Sequence, residues 1–165
     1  MKTHPLCAPL LFILVAAASA PGHAWSAEVP KTTRPKIYDE SLDGSRQIAE
    51  ALSIAKKENK RVLLQFGANW CGWCHKLHQL FKEDQRIAER LKSDYVVVLV
   101  DVNQGHNKDV DTRYGNPTRF GLPVLVILDA DGKQLTTKDS AELEEGDHHN
   151  PDKVLAFLKQ WSPKR

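Results

Sequence analysis

Two cysteines two residues apart, Cys71 and Cys74, stand in the string Trp70-Cys71-Gly72-Trp73-Cys74-His75 and are the side chains best suited to chemistry. The string follows a short apolar run and opens a stretch of helical spacing. The amide groups and dipole of a helix N-terminus stabilise an anion, so the first thiol of such a pair is more acidic than a free one. Cys71 would then attack a substrate disulfide as a thiolate, and Cys74, within one turn, would resolve the mixed disulfide. Gly72 adds little bulk, while Trp70 and Trp73 flank the pair as an apolar platform for a partner polypeptide. The same residues admit other chemistry. Cys-x-x-Cys-His is also the string of covalent haem attachment, with His75 as one ligand and His78 or His106 as the other. Cys71, Cys74, His75 and His78 could collect a soft metal ion, with Asp147-His148-His149 as a second polar cluster, in a binding or adaptor module without redox turnover. Asp147-His148-His149 reads more simply as a solvated loop. A purely structural Cys71–Cys74 disulfide closes a loop too small to constrain the unfolded chain much.

The surrounding pattern supplies elements to hold these residues. Residues 45–60 place Ile48, Ala51, Leu52 and Ala55 at helical spacing, and 61–66 form a short apolar run typical of a strand covered on both faces. Cys74, Leu77, His78 and Phe81 share one side of the helix that the cysteines open. Asp84 is placed to cap a further helix with Ile87, Ala88 and Leu91. Residues 95–102 give the strongest strand signal, β-branched and almost wholly apolar. A short helix is expected over 108–114 and another buried strand over 124–128. Asp131-Gly132 then turns into an antiparallel strand over 133–137. Residues 138–150 read as a polar loop, and Pro151 begins a last helix whose apolar side is Val154, Leu155, Leu158 and Trp161. Phe66 and Phe157 read as core; Tyr114 and residues 115–120 either border a substrate groove or pack as loop. The order predicts an α/β domain, a mixed central sheet flanked by helices.

The 165 residues suffice for one domain, and 23 basic against 21 acidic residues are too even for a nucleic-acid partner. Lys2, the apolar run 10–18 and Gly22-His23-Ala24 have the layout of a secretory signal peptide cut after Ala24. Its removal takes Cys7 and leaves two cysteines, in an oxidising compartment, in a chain without methionine. Residues 25–44, with two prolines and no period, read as a linker or extended arm, and 45–165 as the folded domain.

The strings FGANWCGWCHKL (66–77) and GLPVLVILDADGK (121–133) resemble the thioredoxin superfamily, in particular its exported members. The resemblance spans about 45–162 and implies a single thioredoxin-fold domain acting as a thiol–disulfide oxidoreductase without a cofactor or metal. It implies a redox disulfide between Cys71 and Cys74, and a cis-proline at Pro123 whose backbone, with Leu122, pairs with the substrate chain. The partners it implies are cysteine-containing exported proteins, in a bacterial periplasm, and a membrane redox protein that resets the pair; a monomer is expected. Two positions depart from the family. Gln65 occupies the place of a buried acid six residues before the first cysteine, and the strand 95–102 lacks the lysine that often partners that acid.

Overall fold

The computed structural model describes residues 34–164, so the expected signal peptide and the first part of the arm lie outside the described residues. Four strands form a mixed sheet in the order β2-β1-β3-β4, with β1 Arg61–Gly67, β2 Tyr95–Asp101, β3 Val124–Leu128 and β4 Gln134–Asp139. β1 and β2 are parallel, joined by two helices, while β3 runs antiparallel to both β1 and β4. The central strands β1 and β3 are buried almost throughout, as their unbroken apolar runs require.

Helix α1, Gly44–Glu58, begins at Asp43, whose carboxylate accepts from Arg46 N, and ends at Asn59 in the left-handed conformation. Its Ile48, Ala51 and Ala55 pack on one sheet face with Val62, Leu64, Phe66, Val98, Val100, Val124, Val126 and Leu128. Helix α2, Gly72–Glu83, and α3, Gln85–Asp94, share Asp84, which ends the first and caps the second through Arg86 N and Ile87 N. With α5, Pro151–Trp161, they bring Leu77, Phe81, Ile87, Leu91, Val154, Phe157 and Leu158 onto the opposite face, over Leu63, Leu125 and Ile127. The short helix α4, Lys108–Arg113, adds Val110 to the first face, where Tyr114 also packs. Phe120, in the turn after it, remains exposed.

The segment 138–150 departs from the expected polar loop. β4 runs on to Asp139, a 3-10 turn over Ser140–Leu143 follows, and β5 Glu144–Glu145 pairs with β6 His148–His149 in a small ribbon. Three contacts override its polar composition: the Ser140 hydroxyl donates to the Pro123 carbonyl, Leu143 enters the core, and Asn150 N donates to the Leu143 carbonyl at 2.8 Å. Gly146, with φ +63°, makes the ribbon's reversal possible.

Candidate active site

Cys71 is the N-cap of α2, extended at φ −75°, and its Sγ accepts a hydrogen bond from Cys74 N at 3.1 Å. The strand β1 ends four residues earlier, so the chain turns through Ala68, Asn69 and Trp70 directly into the helix. The expected disulfide is present between Cys71 and Cys74, with the Cα atoms 5.3 Å apart. The two sulfurs differ in surroundings: Cys74 is wholly buried and Cys71 reaches the surface at 5 % exposure. The sulfur at the mouth is thus the one the helix amides address, and the other lies behind it.

The remaining expected site residues gather round this corner. Trp70 is two-thirds exposed and donates its indole N–H to Asn103 Oδ1 at 3.0 Å. Trp73 is half-buried, with Lys76 Nζ 4.3 Å from its ring centroid and His149 edge-on at 5.2 Å. Gly72, the first residue of α2, is partly covered: the Arg34 guanidinium stands 3.2 Å from where a Cβ on it would be. Leu122 packs against both Cys74's cluster and the α1 face, and the Leu122–Pro123 peptide bond is cis. His75 is turned away from the sulfurs: its Nε2 is 2.8 Å from the Asn69 carbonyl oxygen. Burial, then Lys82 and His75, hold His78 below the ordinary histidine range. Among the described residues, no cluster of three or more His, Cys, Asp or Glu side chains is arranged to hold a metal ion.

Asp147-His148-His149 is not a solvated loop throughout. His149 is 2 % exposed, because the ribbon folds its ring against Trp73, and both of its ring nitrogens are without a hydrogen-bond partner. Burial, reinforced by the charges of Lys76 and His148, pushes its pKa down to about 4.

Sequence reasoning missed the group that covers the inner sulfur. Tyr38, in the arm before α1, is 1 % exposed and packs in one cluster with Cys71 and Cys74. Asn69 stitches the arm down: its Oδ1 accepts from Ile37 N and Tyr38 N, both at 2.9 Å, and its Nδ2 donates to the Tyr38 carbonyl and to Glu40. Tyr38 Oη accepts from Gln65 Nε2 at 2.7 Å, and the same nitrogen approaches the Cys74 carbonyl at 3.4 Å. Burial raises the Tyr38 hydroxyl far above the usual phenol range; the Gln65 hydrogen bond opposes that rise and the Asp101 carboxylate adds to it. Gly67 makes this packing possible. A Cβ there would stand 2.7 Å from Cys74 Sγ and closer still to Tyr38 Oη. The only signal in the sequence was an aromatic residue inside an otherwise polar, aperiodic stretch.

Residues 43–130 match the sequence pattern of the family described as thioredoxin-like. The disulphide isomerase of Xylella fastidiosa Temecula1 superimposes with a TM-score of 0.69 and 31 % identity, over 76 % of this chain and 96 % of that one. The disulfide bond reductase DsbH of Chlamydia pneumoniae is 32 % identical over 94 residues, 53 % of this chain and 57 % of that protein. The thiol:disulfide interchange protein DsbD of Vibrio vulnificus is 28 % identical over 90 residues, 54 % of this chain but only 15 % of its own length. This chain therefore spans little more than half of the one relative and a small part of the other.

Proposed function

Because the chain belongs to the thioredoxin-like family, we propose that it is a thiol–disulfide oxidoreductase in which Cys71 is the attacking thiol and Cys74 the resolving one. The observation that carries the reading is the placement of Cys71 Sγ at the cap of α2, facing Cys74 N at 3.1 Å. A thiolate at Sγ keeps that hydrogen bond and gains from the helix dipole. In the reduced protein Cys71 S⁻ attacks one sulfur of a substrate disulfide, and the other sulfur leaves as a thiolate. Cys74, after losing its proton, attacks Cys71 Sγ; the second substrate sulfur leaves and the Cys71–Cys74 bond forms. The reverse sequence donates that bond to a dithiol. Two electrons and two protons are exchanged either way, so no cofactor is needed.

Leu122 and Pro123 form the backbone against which a substrate chain docks, with Trp70, Gly72 and Trp73 on the other side of the mouth. The exposure of Trp70 suits a contact with a partner polypeptide. Residues 1–24 act as a secretory signal, 25–44 as an arm and 45–165 as the thioredoxin-like domain. The substrates are cysteine-containing exported proteins in a bacterial periplasm, and a membrane redox protein resets the pair; the names of the DsbH and DsbD relatives support the disulfide chemistry.

Substituting Cys71→Ser abolishes disulfide exchange, whereas Cys74→Ser leaves the first step and accumulates mixed disulfides visible on non-reducing gels. Full activity of Cys71→Ser towards a disulfide substrate overturns the assignment.

A further inference from the structure

We propose that the proton of Cys74 is handled by a relay through the Tyr38 hydroxyl to the carboxylate of Asp101, in place of an acid at position 65. The proposal rests on the exchange reaction above and concerns its second step.

Gln65 has no proton to exchange, yet its side chain is wholly buried beneath the cysteines. Its orientation is fixed by what it faces. The Cys74 carbonyl can only accept, so the end of the amide 3.4 Å from it is the nitrogen. That nitrogen also donates to Tyr38 Oη at 2.7 Å. The phenol oxygen is therefore an acceptor there, and its own hydrogen is left for another group. Tyr38 Oη and Cys74 Sγ crowd the same point, the notch left by the missing side chain of Gly67.

An acceptor stands on the same side of the sheet. Gly67 and Asp101 are register partners in the parallel β1–β2 pair. Paired residues on neighbouring strands point the same way, about 5 Å apart, so the Asp101 side chain lies beside the notch. Asp101 is 1 % exposed. Its Oδ2 accepts from Asn103 N at 3.2 Å and lies 3.0 Å from His106 Nδ1, while Oδ1 is buried without a hydrogen-bond partner. An orphaned carboxylate oxygen is costly to bury. His106, one-third exposed, borders an open cavity of about 380 Å³ together with Val102 and Leu122, and so connects the carboxylate to solvent.

In the resolving step Cys74 Sγ passes its proton to Tyr38 Oη as the Tyr38 hydrogen moves through one water to Asp101 Oδ1, which no protein group hydrogen-bonds. The sulfur's freed electron pair forms the bond to Cys71 Sγ, and the substrate sulfur leaves with the pair of the bond that breaks. Tyr38 ends as it began, and the one proton from Cys74, now on Asp101, leaves to solvent past His106. The opposite direction retraces the path. The titratable groups facing Asp101 are Tyr38 from the arm and His106 from the loop after β2.

The test uses the reduced protein and one equivalent of 5,5′-dithiobis(2-nitrobenzoate), which separates the two steps in one trace. Attack by Cys71 releases the first thionitrobenzoate, and resolution by Cys74 releases the second. In Tyr38→Phe and Asp101→Asn the second release slows relative to the first by on the order of a hundredfold at pH 7, the lower end of what a positioned acid or base contributes. The second phase of Asp101→Asn rises about tenfold per pH unit as hydroxide takes over, more steeply than that of the wild type. The double variant is no slower than either single one, as for groups acting as a unit. A second phase at the wild-type rate and pH profile in both variants overturns the relay and leaves the proposed function standing. Absence of any first phase in the wild type overturns the function itself. A measurement independent of variant folding is the wild-type rate in mixtures of H₂O and D₂O. More than one proton in flight gives a bowed dependence of the second phase on deuterium fraction, and a straight line overturns the relay.

Discussion

On one face of β1, Val62, Leu64 and Phe66 meet α1 in a cluster of apolar side chains. On the other face the alternating positions Leu63, Gln65 and Gly67 change character as they approach the cysteines, from an apolar cluster to a buried amide to a bare backbone against Tyr38 and Cys74. β2 repeats the change: Val98 and Val100 turn to α1, while Leu99 and Asp101 turn to the redox pair. The same strands thus serve two purposes by parity. One face contributes stability through burial in bulk. The opposite face, at the C-terminal ends of its strands, tolerates groups that weaken the fold, an amide oxygen and a carboxylate oxygen buried without partners, and the ribbon beside Trp73 adds two imidazole nitrogens.

The contrast is sharpest for Phe66, fully buried one residue from Gln65 but on the α1 face. Phe66→Ala lowers the unfolding free energy by about 3–5 kcal/mol in a denaturant titration. It leaves the Cys71 reaction rate within about twofold, since the removed ring touches the other side of the sheet. A larger kinetic effect would mean that the two faces are coupled and the comparison fails.

His149 gives the next largest effect. Its folded pKa of about 4 lies below the ordinary value of about 6.5. The unfolded chain therefore binds the proton more readily, and the neutral ring's contribution is present above pH 6.5 and lost as the pH falls towards 4, up to about 3 kcal/mol. His149→Leu removes that slope from thermal melts between pH 6.5 and 4 and is near neutral at pH 7.5, because two unpartnered nitrogens leave with the ring. A slope unchanged in the variant would assign the acid lability to other groups.

Gln65→Glu gives the smallest of the three effects. A carboxyl at this wholly buried position has its pKa raised by desolvation. The variant is as stable as the wild type near pH 4 and loses about 2 kcal/mol by pH 8, the loss growing as pH rises above the ordinary carboxylate range. Equal stability of the variant at both pH values would show that the corner already accommodates charge, and that its polarity carries no cost.

Legibility in the sequence follows the same division. Apolar packing writes itself as period: the helix α1, the strands β1 to β3 and the helix opened by Pro151 were all evident from spacing. The cysteines were evident from their own pattern. What the sequence hid were single residues whose role depends on distant partners. Tyr38 is read through Asn69 and Gln65, 31 and 27 residues away. Asp101 closes a β-branched strand and gives no sign that it faces Gly67. His149 lay in a run of polar residues that composition assigns to solvent, and only the Gly146 turn brings it against Trp73.

The arm held by Asn69 separates the length of chain that folds from the length that works. A polypeptide begun at Ser45, where helical periodicity begins, keeps every strand and every helix but for the first residue and the Asp43 cap of α1. It loses the phenol over the inner sulfur and the guanidinium over Gly72. Water then enters behind Cys74, which Tyr38 no longer covers. The economical boundary for an architect of fusions or truncations is thus not the functional one: seven residues beyond the apparent edge of the domain, a single side chain decides whether the centre is sealed.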